Sequence, residues 1–270
     1  MDFAALFQYS FMRIAFLAVL IITPLFGLLG TMIVTKKMAY FSDALGHSAI
    51  TGIAVGVICG MQNTTVSMVI FAIVFALLLN WINAKAFAST DTVISVFSSC
   101  ALAIGLAILS RGGNFSQYSG LLVGDILSIT KGEVIALLVV FVITMIFYLI
   151  CYNAVTAISI SPILAKSRHI PVQLMENLFA VLVAVIVTFS IKWVGILIIN
   201  ALLILPAAAA RNVSKNARTY TGYAIIFSMF SGIVGLFVSY FTNVATGPMI
   251  VIVASVIYFG TLLGQKLNLK

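Results

Sequence analysis

Residues 133–152 read EVIALLVVFVITMIFYLICY, a single charge at the start followed by an unbroken apolar run. About twenty such residues are what a helix needs to cross the hydrocarbon of a bilayer with every backbone polar group bonded internally. Reading outward for further stretches of this kind gives nine candidate spans, at about 11–34, 43–60, 64–82, 92–110, 133–152, 175–191, 194–210, 219–241 and 246–264. The composition agrees. Of 270 residues, 63% are hydrophobic and 7% charged, against roughly a quarter charged in an ordinary soluble domain. A water-soluble enzyme has too few polar residues here to cover itself. The expected fold is all-α, a polytopic membrane bundle of about eight to nine transmembrane helices, with residues 1–270 forming one transmembrane domain.

The segment Phe115–Thr130 is short and rich in glycine and serine, and reads as a re-entrant or interfacial piece. The opening MDFAALFQYS lacks a basic leader, so the first span is expected to stay as a span and not act as a cleavable signal. Fourteen Lys and Arg face six Asp and Glu, scattered in ones, twos and threes between the apolar runs. That pattern orients helices in a membrane and leaves no nucleic-acid footprint. With the N-terminus outside, Lys36, Lys37, Lys85, Lys166, Arg168, Arg211, Lys215, Arg218, Lys266 and Lys270 fall inside, and Arg13, Arg111, Lys131 and Lys192 outside. The inner excess marks the cytoplasmic side. Cys59, Cys100 and Cys151 lie far apart with no CxxC, so they read as small buried hydrophobes.

No loop is long enough for a folded catalytic domain, and no GxxxxGK[ST] phosphate loop occurs; GTLLGQK near the end has the wrong glycine spacing. Any nucleotide energy must come from another chain. No catalytic or cofactor-binding residue is expected.

The chemistry concentrates in MAYFSDALGHSAITGIAVGVICG, residues 38–60. An ionisable residue at the centre of a membrane helix costs about 2.5–3.5 kcal/mol on insertion scales, so such residues are kept for a function. Asp43 and His47 stand four apart and share a helix face, with Thr51 continuing it. Beside them runs a small-residue stripe, Ser48, Gly52, Gly56 and Gly60, of the kind that lets a second backbone approach. Imidazole suits zinc and other late first-row metals, and carboxylate also suits manganese. Asp43 and His47 therefore read as a transient divalent-cation site. The plainer alternative is that they only pair with each other or with neighbours, Asp43 acting as a helix-start residue. Zinc generally takes four ligands, so a two-fold homodimer with both copies of this helix on one path is expected to supply two Asp and two His.

The other acids read more simply. Asp91 resembles an N-cap, Asp125 lies in the short segment, Glu133 and Glu176 start spans, and Asp2 is in the tail. Pro24, Pro206 and Asn200 sit within spans, as kinks and a polar contact or as bending points, and His169 is a solvated loop residue.

Taken together, MAYFSDALGHSAITG, STDTVISVFSS, LLVGDILSIT, ISPILAKSRHIPV, VGILIINALLILPAAAAR and VATGPMIVIVAS resemble, in this order, the permease subunits of zinc/manganese ABC importers. The likeness covers about Lys36 to Gly260. It implies an importer embedded in the cytoplasmic (inner) membrane of a prokaryote, with two permease copies, two cytoplasmic ATPases and an extracytoplasmic metal-binding protein. Asp43 and His47 would be the metal-contacting pair, with Zn(2+) or Mn(2+) carried and nothing permanently bound. Pro162, Leu164, Ala165, Lys166, His169 and Pro171 would belong to the coupling helix that meets the ATPase. Relatives commonly carry Ser or Ala at Gly46, Ala at Ser48, acidic residues near Pro162–Ile163 and glycine at His169. The motifs sit closer to the zinc branch. Competing readings are a manganese or iron importer, an ion-gradient-driven transporter with a proton relay, an intramembrane metalloenzyme and a scaffold using the glycine stripe.

Overall fold

A computed structural model of the chain describes residues 8–85, 89–111 and 115–268; Asp2 and Lys270 lie outside them. The described residues contain no β-strand. Nine long helices carry the fold: α1 (Ser10–Thr35), α2 (Ala39–Ile58), α3 (Thr64–Asn83), α4 (Thr90–Arg111), α5 (Lys131–Ile160), α6 (Val172–Val194), α7 (Ile196–Val213), α8 (Ala217–Thr242) and α9 (Thr246–Asn268). Each is long and apolar enough to cross a membrane.

Two boundaries differ from the sequence expectation, each for a physical reason. The helix α5 runs on to Ile160, because the weakly polar turns after Tyr152 hold no breaker until Ser161-Pro162, and the residue before proline is disfavoured in the helical region. The helix α2 begins at Ala39, so Asp43 lies a full turn inside it and does not start it. The segment expected not to span is a chain of short pieces: helical turns Phe115–Tyr118 and Gly120–Val123, then a 3₁₀ turn Ile126–Ser128.

The helices group into two compact units. One holds α1 up to Val34, the first half of α5, α7, α8, α9 and residues 123–130. Small residues bring its backbones together. A Cβ added at Gly27 would lie 2.8 Å from the Ala224 carbonyl oxygen, one at Gly30 would overlap the Leu203 carbonyl, and one at Gly235 would meet Ile250 Cα at 2.6 Å. Ser228 Oγ donates to the Thr23 carbonyl oxygen at 2.6 Å, tying α8 to α1. Pro24 and Pro206 stay within continuous helices, Pro206 buried.

The second unit holds α2, α3, α4, the rest of α5, α6 up to Lys192 and the short pieces up to Leu122. Here α2 packs against α3 and α4. The glycine stripe faces α3 of the same chain: a Cβ at Gly52 would meet Met68 Cα at 3.0 Å, and Ser67 Oγ donates to the Gly52 carbonyl oxygen. Gly60 is no part of this seam, having nothing within 4 Å and a φ of +68°, the left-handed turn that ends α2. Outward faces stay apolar, as on α5, where Leu149 and Ile150 are 73% and 74% exposed, which suits lipid. The cysteines follow this pattern: Cys59 and Cys100 are exposed, Cys151 partly so, and all three are free. The expectation that they are buried is corrected; a thiol is apolar enough to face hydrocarbon.

Backbones also meet closely at Gly124 and Gly195. Both have positive φ, +71° and +94°, and a Cβ on Gly195 would overlap the Val123 carbonyl and lie 2.8 Å from the Gly124 nitrogen. Gly195 is also the sole residue joining α6 to α7. Gly195→Ala should therefore cost about 1–3 kcal/mol through left-handed strain and overlap. A lowered thermal midpoint of the detergent-solubilised protein checks this, with Gly222→Ala, which has open space around it, unchanged.

Candidate metal cleft

The sequence places Asp43 and His47 one turn apart, and α2 presents them together: His47 Nε2 lies 3.6 Å from Asp43 Oδ2. That is ion-pair range for a protonated imidazole and too long for a hydrogen bond. Two donors each about 2.1 Å from a tetrahedral ion sit about 3.4 Å apart, so the observed spacing is close to the bite of one metal ion. Both side chains are part-exposed, His47 at 30% and Asp43 at 44%. They open into a cleft whose α2 wall is Tyr40, Asp43, Ala44 and His47. The α4 wall is Ile94, Ser95, Ser98, Ser99 and Leu102. No group of three or more His, Cys, Asp or Glu that could hold a metal occurs among the described residues. One copy of the chain brings two side chains of ligand type, Asp43 and His47, to this cleft.

Packing of α2 on α4 sets the cleft's width. Thr51 Oγ1 donates to the Ala101 carbonyl oxygen of α4, and Gly105 admits the Thr51 backbone so closely that a Cβ there would lie 2.8 Å from it. Thr51 thus shares the face of Asp43 and His47 and serves as a tether, buried at 4% exposure. Ser48 is fully buried and bonds the Leu45 carbonyl at 3.0 Å, so it stays out of the cleft.

The remaining acids have local roles. The cap of α4 is Ser89, whose Oγ accepts from the Thr92 amide at 3.3 Å, which corrects the reading of Asp91 as N-cap; Asp91 lies in the first turn. Asp125 accepts from the Leu127 amide at 3.0 Å and caps the 3₁₀ turn. Glu133 accepts from the amide and the hydroxyl of Thr130 at 2.8 and 2.9 Å. Glu176 on α6 lies 3.8 Å from Lys36 in the α1–α2 link. Burial pulls the Lys36 ammonium below the ordinary lysine range, and the neighbouring Glu176 carboxylate opposes that shift. Lys36 also lies 5.3 Å from the centre of the Phe179 ring. The Asn80 amide holds α3 to α6 through the Glu176 carbonyl oxygen at 3.1 Å and Asn177 Oδ1 at 3.2 Å.

The loop between α5 and α6 forms a six-residue helix, Pro162–Ser167. Ser161 Oγ accepts from the Leu164 amide at 3.4 Å and Pro162 takes the first turn, where its missing N–H costs nothing. Ile163 and Leu164 are 79% and 62% exposed, with Lys166, Arg168 and His169 exposed beside them. Ala165 points the other way, fully buried, and anchors the helix. His169 ends it with φ +57°, a left-handed conformation that glycine adopts without strain. Its backbone position thus does have a structural task. Pro171 is exposed and its carbonyl accepts from the Met175 amide at 3.0 Å, opening α6.

At the far end of α2 lies a second polar cleft, lined by Gln62, Asn63, Thr64, Thr65, Gln117, Tyr118 and Lys192. The sequence reading missed it, and missed the serines of α4. The available signal was the i, i+3, i+4 spacing of Ser95, Ser98 and Ser99, which puts three hydroxyls on one face of a largely apolar span.

A polytopic all-helical chain with a paired carboxylate and imidazole opening into a cleft between two apolar helices, and a capped helix in a short loop, is the architecture expected of a transporter subunit. The ABC 3 transport family matches residues 8–265, and the chain belongs to that family. It is 32% identical over 231 residues to the high-affinity zinc uptake system membrane protein ZnuB of Haemophilus influenzae, covering 85% of this chain and 88% of that one. It is 26% identical over 254 residues to the manganese transport system membrane protein MntC of Listeria monocytogenes, covering 94% and 90%. Among solved structures it resembles PsaBC from Streptococcus pneumoniae, in complex with Fab, with a TM-score of 0.84 and 24% identity over 96% of this chain and 93% of that one.

Thr51→Ala should remove the α2–α4 tether at a cost of about 1 kcal/mol, widening the cleft without touching a candidate ligand. A lowered thermal midpoint together with retained metal-dependent uptake checks it.

Proposed function

We propose that this chain is the membrane-spanning subunit of an ATP-driven importer for a divalent transition metal, zinc before manganese. It passes the ion from an extracytoplasmic binding protein toward the cytoplasm by alternating access. The observation that carries the reading is the Asp43–His47 pair, one helical turn apart and opening into a single polar cleft between α2 and α4. The similarity to a zinc-uptake membrane protein over most of both chains supports it, as does the positive-residue pattern, which puts the N-terminus outside and the α5–α6 loop in the cytoplasm.

Two ligands per chain hold an ion weakly, which suits a conduit: binding must be favourable enough to enter and loose enough to leave. A second copy of the chain across a two-fold axis would raise the set to two carboxylates and two imidazoles, the number zinc prefers. The cleft lined by Gln62, Gln117, Tyr118 and Lys192 then lies at the outer end of the path, where the binding protein delivers its ion. The helix Pro162–Ser167 lies on the cytoplasmic side. Its exposed Ile163 and Leu164 fit an apolar groove, Lys166 and Arg168 fit acidic neighbours, and Ala165 fixes it to the bundle. Closure of two ATPase subunits pressing on it would be carried into a movement of α5 and α6.

A manganese-carrying form is the second reading. It is favoured by the hydroxyl-rich α4 wall and by the relative named for manganese transport. Gradient-driven transport gains no support, because Asp125 and Glu133 act as local caps at helix ends and form no relay.

His47→Ala should lower uptake of radiolabelled zinc by at least about tenfold, the loss that even a residue orienting a metal ligand can cause, while membrane abundance stays normal. Normal uptake by that variant would refute the assignment. Leu164→Asp should uncouple the subunit instead, abolishing uptake at unchanged abundance, because a charge enters the apolar contact. Retained uptake would show that this face meets no ATPase.

A further inference from the structure

We propose that Ser95, Ser98 and Ser99 on α4 hold the remaining water shell of the cation bound at Asp43 and His47, and so set which divalent ion passes. This rests on the importer reading and names a selectivity element for it. Three observations converge on the serines.

First, they line the same cleft as the two ligands, from the opposite wall. Second, many helix hydroxyls in this chain bond a backbone carbonyl, either of their own helix, as Ser42 to Ala39, Ser48 to Leu45, Ser159 to Val155, Thr144 to Val140 and Thr188 to Ala184, or of a neighbouring helix, as Thr51, Ser67 and Ser228 do. The hydroxyls of Ser95, Ser98 and Ser99 make no hydrogen bond among the described residues. Third, an unsatisfied hydroxyl in hydrocarbon is costly. Three of them on one face of a membrane helix are accounted for by a wetted path.

Asp91 extends the same face, one turn before Ser95, on the side from which both α2 and α4 begin. With the cap supplied by Ser89, this carboxylate is left to attract the cation at the end of the hydroxyl track. The chemistry follows from ligand hardness. Neutral hydroxyls are poor direct ligands for zinc, which is satisfied by four nitrogen, oxygen or sulfur donors, and good partners for the waters that manganese keeps in its six-fold oxygen-rich shell. An ion held by Asp43 and His47 alone would keep waters that no wall of the cleft holds in place. An ion facing the serine wall moves with part of its shell, and the intact wall keeps manganese acceptable.

The test uses the full chain in cells whose uptake depends on it, with radiolabelled zinc and manganese as the probes. In a Ser95→Ala/Ser98→Ala/Ser99→Ala variant, normal membrane abundance is expected. Manganese uptake should fall about five- to tenfold, the loss of one or two hydrogen bonds, and zinc uptake by much less. The zinc-to-manganese ratio thus rises. The triple Thr variant, which keeps each hydroxyl and adds only a methyl, should restore the ratio. An unchanged ratio in the Ala variant, or equal loss in the Ala and Thr variants, overturns the proposal. His47→Ala in the same assay separates the two readings. If it abolishes uptake while the serine variants leave the ratio unchanged, only the serine proposal falls; if it takes up both ions normally, the metal cleft itself falls.

Discussion

A carboxylate and an imidazole held 3.6 Å apart on a helix long and apolar enough to cross a membrane are the constraint around which the rest of this chain is arranged. Neither group is stable on such a helix without a partner or a wetted surface, since each costs several kcal/mol when placed dry. The fold answers by building α2 as a helix of small residues that α3 and α4 can approach closely. Thr51 locks α2 to α4 just above the pair, Gly105 lets it sit flush, and Ser67 fastens the other side to the Gly52 carbonyl. What remains between these contacts is a cleft into which Asp43 and His47 open without being sealed by neighbours.

The same economy governs the ends of the helices. Acids that could compete for a cation are engaged locally, Asp125 and Glu133 in caps and Glu176 beside the buried Lys36 ammonium. Asp91 is the exception, and it lies in line with the cleft. In the α5–α6 loop, Ser161, Pro162 and the left-handed His169 fix both ends of a short helix. One apolar residue, Ala165, turns inward, and two large ones, Ile163 and Leu164, turn outward.

Much of this was legible in the residues because bilayer physics is severe. Nine apolar runs gave nine long helices among the described residues, with most ends within a few positions and α5 running eight residues further, since charge and proline mark where a helix ends. The Asp43–His47 juxtaposition followed from helical periodicity alone. Periodicity defines a face and says nothing of what packs on it. The Gly52–Gly56 stripe therefore gave no sign that its partner is α3 of the same chain, and Thr51 gave no sign that its hydroxyl is spent on Ala101. Ser95, Ser98 and Ser99 were passed over because serine is tolerated in membrane helices when it bonds its own backbone. Only the structure shows that these three do not.

The central claim is that Asp43 and His47 are ligands, and X-ray absorption at the zinc edge of the purified, zinc-loaded protein addresses it most directly. The account predicts imidazole nitrogen scattering at about 2.0 Å together with carboxylate oxygen, lost when both residues are replaced by alanine. A zinc shell of sulfur, or of water oxygen alone and unchanged by the double replacement, would contradict it.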